Sequence, residues 1–260
     1  MANVLSLDGK VKHSIELPTA FSKGVRLELI RRAVLAENSY KLQPQGHFRL
    51  AGMQTSAAYF GAMGSYRTGR HMGIAIRPRE KLGGGVQGKV KRIPSSTKGR
   101  RAHPHIVEKI LTEKINNKEY QLAVASAVSA TATTNAKHSH IHLPIIVSDE
   151  IESLKKSREV MAVLKSINLS DYMDENRKPH IRKGVRRSTR MRIYPRKLLL
   201  VVGKETNLMK AARNIHGVDV CEVSKITANL LAPGGMPGRM TVWSESAVGS
   251  LNKAIENITV

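Results

Sequence analysis

One stretch of the chain, residues 41–105, restricts the possible folds more than any other feature of the sequence. It contains 11 of the 20 glycines and four of the ten prolines, and neither a helical nor a strand period runs across it. A structureless stretch of this length is uncommon inside a compact domain. We therefore predict a globular domain built from residues 1–40 and 106–260, with 41–105 inserted in it as a long extended loop.

The inserted stretch is also strongly basic. It holds 13 Lys and Arg and one acid, Glu80, while residues 177–197 hold 10 Lys and Arg and no acid. The other 174 residues hold 20 basic and 19 acidic residues, so nearly all of the +23 net charge lies in these two basic segments. Such a concentration predicts two contact surfaces for a polyanion, which could be nucleic acid, an anionic membrane or an acidic protein.

The apolar residues inside the first basic segment favour RNA among these partners. Rings and guanidinium planes stack on unpaired bases while cationic groups meet phosphates. Ordering such a long segment costs about 1–2 kcal/mol per residue in backbone entropy, so we expect it to order only through many simultaneous contacts. A flexible, solvated loop remains the simpler alternative. The apolar residues spread among the cations are Met53, Tyr59, Phe60, Met63, Tyr66 and Ile74.

The rest of the chain predicts an α/β fold. Short apolar runs that suit buried strands alternate with helical patterns, which indicates a mostly parallel sheet with helices on both faces, Rossmann-like but without a cofactor turn. An N-terminal hairpin is expected around Asp8-Gly9, and Ser22 is the expected N-cap of the first helix. The predicted strands are 143–147, Leu198–Val202, 218–223 and 240–243, and the predicted helices are 23–40, 117–134, 149–167, 207–215 and one after 244.

The sequence contains no convincing catalytic or metal-binding constellation. The run GGGVQGKV at 83–90 nearly matches a phosphate-binding loop, but Val90 lacks the required hydroxyl and no strand precedes the run. The turn after Leu198–Val202 has one glycine, Gly203, where a dinucleotide-binding turn needs three. The histidines of 138–142 lack a fourth zinc ligand nearby, and Cys221 suits burial better than catalysis. We therefore expect no enzyme activity, no metal and no cofactor.

The composition indicates the cellular compartment of the protein and the classes of partner it lacks. One cysteine allows no internal disulfide, the N-terminal residues contain no apolar signal region, and no apolar run approaches a membrane span. We expect a soluble, intracellular protein without a membrane or small-molecule partner.

Several motifs resemble the L-four family of large-subunit ribosomal proteins, and most of all its archaeal members. The resemblance covers essentially the whole chain in the family's order and spacing. The motifs are GHFRLAGMQTS at 46–56, RTGR at 67–70, KGRRAHPH at 98–105, LPIIVSD at 143–149, AARN at 211–214 and LAPGGMPGR at 231–239.

The resemblance implies a structural protein of the large ribosomal subunit in the cytoplasm. Its α/β body would lie on the solvent side, and its long loop would thread through ribosomal RNA. The loop tip would approach the nascent-peptide exit tunnel, where it would face a protein of the L-twenty-two family. The residues placed at the tip are Tyr66, Arg67, Thr68, Gly69, Arg70 and His71.

The expected RNA-binding residues are the cations of the two basic segments. In the loop they are Arg49, Arg67, Arg70, Arg77, Arg79, Lys81, Lys89, Lys91, Arg92, Lys98, Arg100 and Arg101. In the second segment they are Arg177, Lys178, Arg182, Lys183, Arg186, Arg187, Arg190, Arg192, Arg196 and Lys197. The alternatives are another sequence-independent nucleic-acid-binding protein and an RNA-dependent enzyme on an α/β scaffold.

Overall fold

A computed structural model describes residues 2–59, 61, 73–82, 87–133, 142–169, 180–182 and 191–258. The chain divides into two compact units. The first, called here the α/β unit, comprises Met1–Lys41 and Thr112–Val260, and the second, called the insertion unit, comprises Leu42–Leu111.

Ten strands and six helices lie in the described residues. The strands are β1 (Ala2–Leu5), β2 (Val11–Ile15), β3 (Arg79–Lys81), β4 (Gln87–Val90), β5 (Ile145–Val147), β6 (His180–Arg182), β7 (Met191–Ile193), β8 (Leu198–Val202), β9 (Val218–Glu222) and β10 (Met240–Ser244). The helices are α1 (Leu27–Tyr40), α2 (Asn117–Thr131), α3 (Ser157–Ser166), α4 (Asn207–Arg213), α5 (Ala228–Leu231) and α6 (Glu245–Asn257). Single 3-10 turns occur at Thr19–Ser22, Asp149–Ser153, Val223–Lys225 and Pro233–Gly235.

A six-stranded sheet forms the centre of the α/β unit. Its strand order is β2-β1-β5-β10-β8-β9, and all neighbouring strands are parallel except β1 and β2, which form the predicted antiparallel hairpin. The hairpin turns at Gly9, whose φ of 80° suits glycine. The last strand of the chain, β10, lies in the middle of the sheet, where Trp243 pairs with Ile146 on one side and Val201 on the other.

The sheet is covered on both faces, as the sequence predicted. Side chains alternate across a strand, so Leu199 and Val201 enter one apolar core while Leu198, Leu200 and Val202 enter the other. Helices α1, α2 and α6 cover the first face, and α3 and α4 cover the second. The five apolar side chains of β8 are divided between the two cores, and every residue of this strand is therefore buried. The prediction of an α/β fold with a mostly parallel sheet is confirmed.

Helix α2 is buried on nearly all sides because its residues are small. Every residue from 123 to 131 is buried, and six of these nine are alanine or serine. The hydroxyl of Ser126 accepts the backbone N–H of Arg26 at 2.6 Å and donates to the carbonyl of Gly24 at 3.3 Å. These bonds attach the entry of α1 directly to the middle of α2.

Two predicted helix starts are wrong. Ser22 ends a 3-10 turn, its hydroxyl donating to the carbonyl of Thr19 at 2.9 Å, and α1 begins only at Leu27. The predicted helix 149–167 is divided into the 3-10 turn Asp149–Ser153 and helix α3. The physical reason is that the carboxylates of Asp149 and Glu152, read as helix-capping groups, accept backbone N–H groups from other parts of the sheet edge.

The insertion unit contains regular pairing that the sequence did not predict. Strands β3 and β4 pair antiparallel, and Ala58 and Arg79 exchange backbone hydrogen bonds of 3.1 and 3.0 Å. Backbones also approach closely at Gly52 and Gly99, where an added Cβ would collide with the carbonyls of Arg101 and Ile93. These strands were not predicted because pairing of three or four residues leaves no sequence period.

The central sheet predicts a clear contrast between two leucines. Leu200 is 1% exposed in the sheet, whereas Leu35 is 60% exposed on α1. Leu200→Ala is expected to lower the free energy of unfolding by about 2–5 kcal/mol, because it leaves a cavity between α3, α4 and the sheet. Leu35→Ala, the matched control, is expected to change it by less than about 0.5 kcal/mol. Urea unfolding followed by circular dichroism measures both, and equal effects would contradict the assigned core.

Candidate nucleic-acid interface

The insertion unit has far more cations than its own carboxylates can neutralise. It contains 13 Lys and Arg and only two acids, Glu80 and Glu108. Both acids are engaged, since Glu80 lies 3.0 Å from the ammonium of Lys91 and Glu108 lies 2.8 Å from the guanidinium of Arg49. The unit therefore carries a large excess of positive charge that its own acidic side chains do not offset.

Three arginines of this unit are oriented by backbone carbonyls. The guanidinium of Arg79 donates to Ala75 at 3.0 Å, that of Arg100 to Gln54 at 3.0 Å, and that of Arg101 to His103 at 3.0 Å. A guanidinium has five N–H donors, so one bond of this kind fixes its plane and leaves other donors for a bound group. Neutral carbonyls also leave the positive charge intact. These side chains are thus positioned cations, suited to phosphate.

Four other cations among those predicted for this unit are exposed, and in the described part of the chain no carboxylate is paired with them. They are Arg77, Lys89, Arg92 and Lys98. Lys89 lies in β4, and Lys98 lies in the turn before Gly99 with a φ of 54°. Lys81, at the end of β3, is exposed as well. The structure thus brings these predicted cations onto the surface of one compact unit.

The predicted loop tip falls outside the described residues. This concerns Tyr66, Arg67, Thr68, Gly69, Arg70 and His71, and therefore also the two predicted RNA-binding arginines among them.

The second basic segment is described only in part. Strands β6 and β7 pair antiparallel, with Arg182 opposite Met191 and Arg192 opposite Ile181. Arg196 is exposed, and its Nε lies 3.7 Å from the carboxylate of Asp219. Lys197 is buried, with 9% of its surface exposed. Arg177, Lys178, Lys183, Arg186, Arg187 and Arg190 lie outside the described residues.

This second segment enters the sheet beside an ion pair whose guanidinium is buried. The guanidinium of Arg239 donates to the carboxylate of Asp219 at 2.7 Å and to the carbonyls of Leu198 and Leu230 at 2.8 and 2.9 Å. One carboxylate therefore faces both a buried guanidinium and the outer Arg196. Nothing in the pattern of the sequence indicated this arrangement, because the partners are far apart in the chain.

Sequence reasoning also missed an aromatic pair at the same edge of the sheet. The rings of Tyr194 and His216 are stacked, with centroids 4.2 Å apart and planes 12° from parallel. His216 is exposed, and Tyr194 lies two residues before Arg196. The only available signal was a tyrosine next to a basic run. Flat rings beside cations are a common composition of RNA-binding surfaces.

The opposite, carboxyl-terminal edge of the parallel strands is where α/β proteins usually bind anionic cofactors. Here Glu152 accepts the N–H of Gly203 at 2.9 Å and the hydroxyl of Ser246 at 2.9 Å. Asp149 accepts the N–H of Ser246 at 2.8 Å, at the start of α6. The N–H groups that would meet a phosphate thus already bind carboxylates of the chain itself. A Cβ on Gly203 would also collide with the hydroxyl of Ser246.

In the part of the chain that the structure describes, the remaining candidate constellations form no reactive centre. Gly88 and Lys89 lie in strand β4, whereas a phosphate-binding loop places this lysine at the start of a helix. In the described residues no group of three His, Cys, Asp or Glu side chains is suited to hold a metal ion. Of the histidine run at 138–142, only His142 is described. Burial raises the pKa of Cys221 to about 12, which keeps the thiol protonated and unreactive at neutral pH.

None of the described helices has both the length and the apolar character needed to cross a membrane.

Comparison with known proteins gives a consistent result over the full length of the chain. A model of the ribosomal protein L4/L1 family matches residues 15–254. A large ribosomal subunit protein uL4 from Methanococcoides burtonii is 41% identical over 258 residues, covering 96% of this chain and 97% of that protein. The uL4 proteins of Methanospirillum hungatei and Archaeoglobus fulgidus are 40% and 39% identical, covering 96% and 97% of this chain and 98% of each relative.

These matches confirm the resemblance drawn from the motifs of the sequence. The family model spans both structural units, and the relatives are aligned over nearly their whole length. The chain belongs to the ribosomal protein L4/L1 family and is of the archaeal type.

Proposed function

We propose that this protein is a structural constituent of the large ribosomal subunit in the cytoplasm and that it binds ribosomal RNA. The observation that carries the proposal is the family match across residues 15–254, joined to full-length relatives named as large ribosomal subunit proteins. Those names describe a ribosomal component and not an enzyme. The closed carboxyl-terminal edge of the sheet agrees, since Asp149 and Glu152 occupy the N–H groups that a nucleotide would use.

The insertion unit is the proposed principal RNA contact. Its open cations, Arg77, Lys89, Arg92 and Lys98, are suited to neutralise phosphates, and the carbonyl-oriented Arg79, Arg100 and Arg101 are suited to directed phosphate bonds. Arg49 and Lys91 are paired with carboxylates. When RNA binds, its phosphates would replace these carboxylates or share the two cations with them. We further propose that residues 41–105 are the extended loop of the family and that Arg67 and Arg70 belong to the same RNA-binding set.

The second basic segment is the proposed docking strip of the α/β unit. Arg196 is its best-described member, because it is exposed and beside the Tyr194–His216 ring pair. The burial of Lys197 favours a supporting position behind the surface. Arg177, Lys178, Arg182, Lys183, Arg186, Arg187, Arg190 and Arg192 complete the proposed strip on the basis of their sequence alone.

Two finer features of the proposal rest on the family resemblance. The tip at residues 66–71 would line the nascent-peptide exit tunnel and face a protein of the L-twenty-two family. The α/β unit would be Rossmann-like in its layering, with the usual cofactor crevice closed and the sheet serving as a support for RNA-binding segments.

Sedimentation tests the proposed function directly. The full chain with an affinity tag, expressed in an archaeal host, is expected to sediment with large subunits and 70S ribosomes in a sucrose gradient. Incorporated ribosomal proteins stay bound in moderate salt, so the tagged chain is expected to remain in these fractions after a salt wash. Free sedimentation at low salt, or sedimentation with chromosomal DNA, would contradict the proposal.

Salt dependence tests the assignment of the insertion-unit cations. A variant with Arg77, Lys89, Arg92 and Lys98 all changed to Ala is expected to bind in vitro transcribed large-subunit ribosomal RNA with a shallower dependence on salt. The slope of log K against log salt is expected to fall by about 3, since each lost phosphate contact removes roughly 0.7–0.9.

The matched control removes four exposed lysines of the α/β unit, Lys10, Lys114, Lys118 and Lys253, and is expected to change the slope by less than about 1. Filter binding at several salt concentrations measures both variants. Equal slopes for the two quadruple variants would contradict the assignment and indicate that charge acts without regard to position.

A further inference from the structure

An apolar cleft lies among the cations of the insertion unit. Its volume is about 360 Å³, at the lower end of the range of small-molecule sites. Its walls come from three separate parts of the unit, and the apolar lining residues are Met53, Ala57, Tyr59, Pro78, Ile93 and Pro94. Tyr59 and Met53 are 41% and 57% exposed, so part of each side chain is accessible to solvent. The cleft therefore offers an apolar lining that a ligand can reach.

The walls of this cleft are held by the backbone. Ala58 and Arg79 exchange two hydrogen bonds, and the N–H of Lys91 donates to the carbonyl of Pro78 at 3.1 Å. The turn that carries Ile93 and Pro94 is closed by a 3.1 Å bond from Ser96 to Ile93, and it needs a glycine at 99. Three segments are therefore fixed side by side, and the cleft between them is a feature of the fold of this unit.

Three arginines are direct neighbours of lining residues in the sequence. Arg77 and Arg79 flank Pro78, and Arg92 precedes Ile93. Arg77 and Arg92 are exposed, and Arg79 keeps its charge while bound to carbonyls. An apolar protein side chain entering the cleft would need no such neighbouring cations. A nucleobase in an RNA strand brings a phosphate on each side, so arginines next to the lining residues in the chain match it.

Two hydroxyls supply polar groups at the cleft. The oxygen of Thr55 accepts the N–H of Ala57 at 3.2 Å, which leaves its own O–H available to donate. Ser95 also lines the cleft and is exposed. Hydroxyls that both donate and accept can meet the edge of a base, while proline and tyrosine rings contact its faces.

We propose that this cleft binds a single unpaired nucleobase of ribosomal RNA, turned out of its stack. The proposal rests on the proposed function, because it assumes an RNA partner, and adds a recognition element to it. Binding of a base provides a contact that depends on more than charge, and would anchor the insertion unit at one nucleotide while the surrounding cations neutralise its neighbours.

Matched RNA probes separate base contact from charge. The full chain is titrated with single-stranded decaribonucleotides of A, of C and of U, and with an abasic decamer of the same length and charge. At least one base-bearing decamer is expected to bind the wild type roughly fivefold or more tightly than the abasic one, the gain typical of one stacked base. Fluorescence anisotropy with an end-labelled decamer measures each affinity.

Variants of the cleft test its position. Tyr59→Ala is expected to remove the preference for the base-bearing decamer without changing the affinity for the abasic one, and Tyr59→Phe is expected to keep the preference. Ala57→Leu removes no group and fills the cleft, so it is also expected to remove the preference for the base-bearing decamer. This variant tests the cleft independently of any effect of Tyr59→Ala on the fold. Tyr40→Ala, at a similarly exposed tyrosine of α1, is the control and is expected to behave as wild type.

The possible results distinguish the cleft from the function it rests on. A wild type that binds large-subunit ribosomal RNA but shows no preference over the abasic decamer would overturn the cleft alone, as would a preference unchanged by Ala57→Leu and Tyr59→Ala. A wild type that binds neither the decamers nor the ribosomal RNA would overturn the proposed function as well. A cleft that serves an apolar protein partner would also leave the RNA preferences of all variants equal to wild type, which contradicts the proposal.

Discussion

The excess positive charge of the insertion unit is the constraint on which the rest of the account depends. Like charges crowded onto about seventy residues repel one another, and only Glu80 and Glu108 are present in the unit to compensate. Since both carboxylates are already paired, further compensation must come from outside this unit. Phosphates meet that need at high density along an RNA strand. The carbonyl-bound arginines fit the same requirement, because a neutral acceptor orients a cation without cancelling its charge.

The α/β unit contains a mostly parallel sheet, and the edge at which such sheets usually bind ligands is closed. Parallel strands direct the N–H groups of the following turns and helix to one edge, where an anion normally binds. In this protein the carboxylates of Asp149 and Glu152 take the place of the anion and accept these N–H groups. Ser246 also packs against Gly203. At the other edge, the second basic segment leads into β8. There the carboxylate of Asp219 pairs with the guanidinium groups of both Arg196 and Arg239. The sheet thus supports basic segments where a related architecture supports catalysis.

Much of the α/β unit could be predicted from the sequence because its signals are local. Strand β8 was predicted with its observed bounds, since five consecutive apolar residues have no alternative but burial on both faces. The helix starts predicted at Ser22 and at residue 149 were wrong because a side chain that suits a helix start also suits other hydrogen bonds. The Ser22 hydroxyl binds the nearby carbonyl of Thr19, and the Asp149 carboxylate binds the distant N–H of Ser246.

The site was less predictable than the fold. Charge counting located both basic segments, but it treated every cation as equivalent. Only the structure separates the carbonyl-oriented Arg100 from the exposed Lys89 and the buried Lys197. The cleft at Tyr59 and Ile93 had no signal in the sequence, because its walls are 34 residues apart and meet through the backbone of Ala58 and Arg79.

A cryo-electron microscopy map of archaeal large subunits containing this chain would test the central claim most directly. The account predicts that the ammonium and guanidinium groups of Arg77, Lys89, Arg92 and Lys98 lie within hydrogen-bonding distance of ribosomal RNA phosphates. An insertion unit that lies against protein or solvent, with these four side chains away from any phosphate, would contradict it.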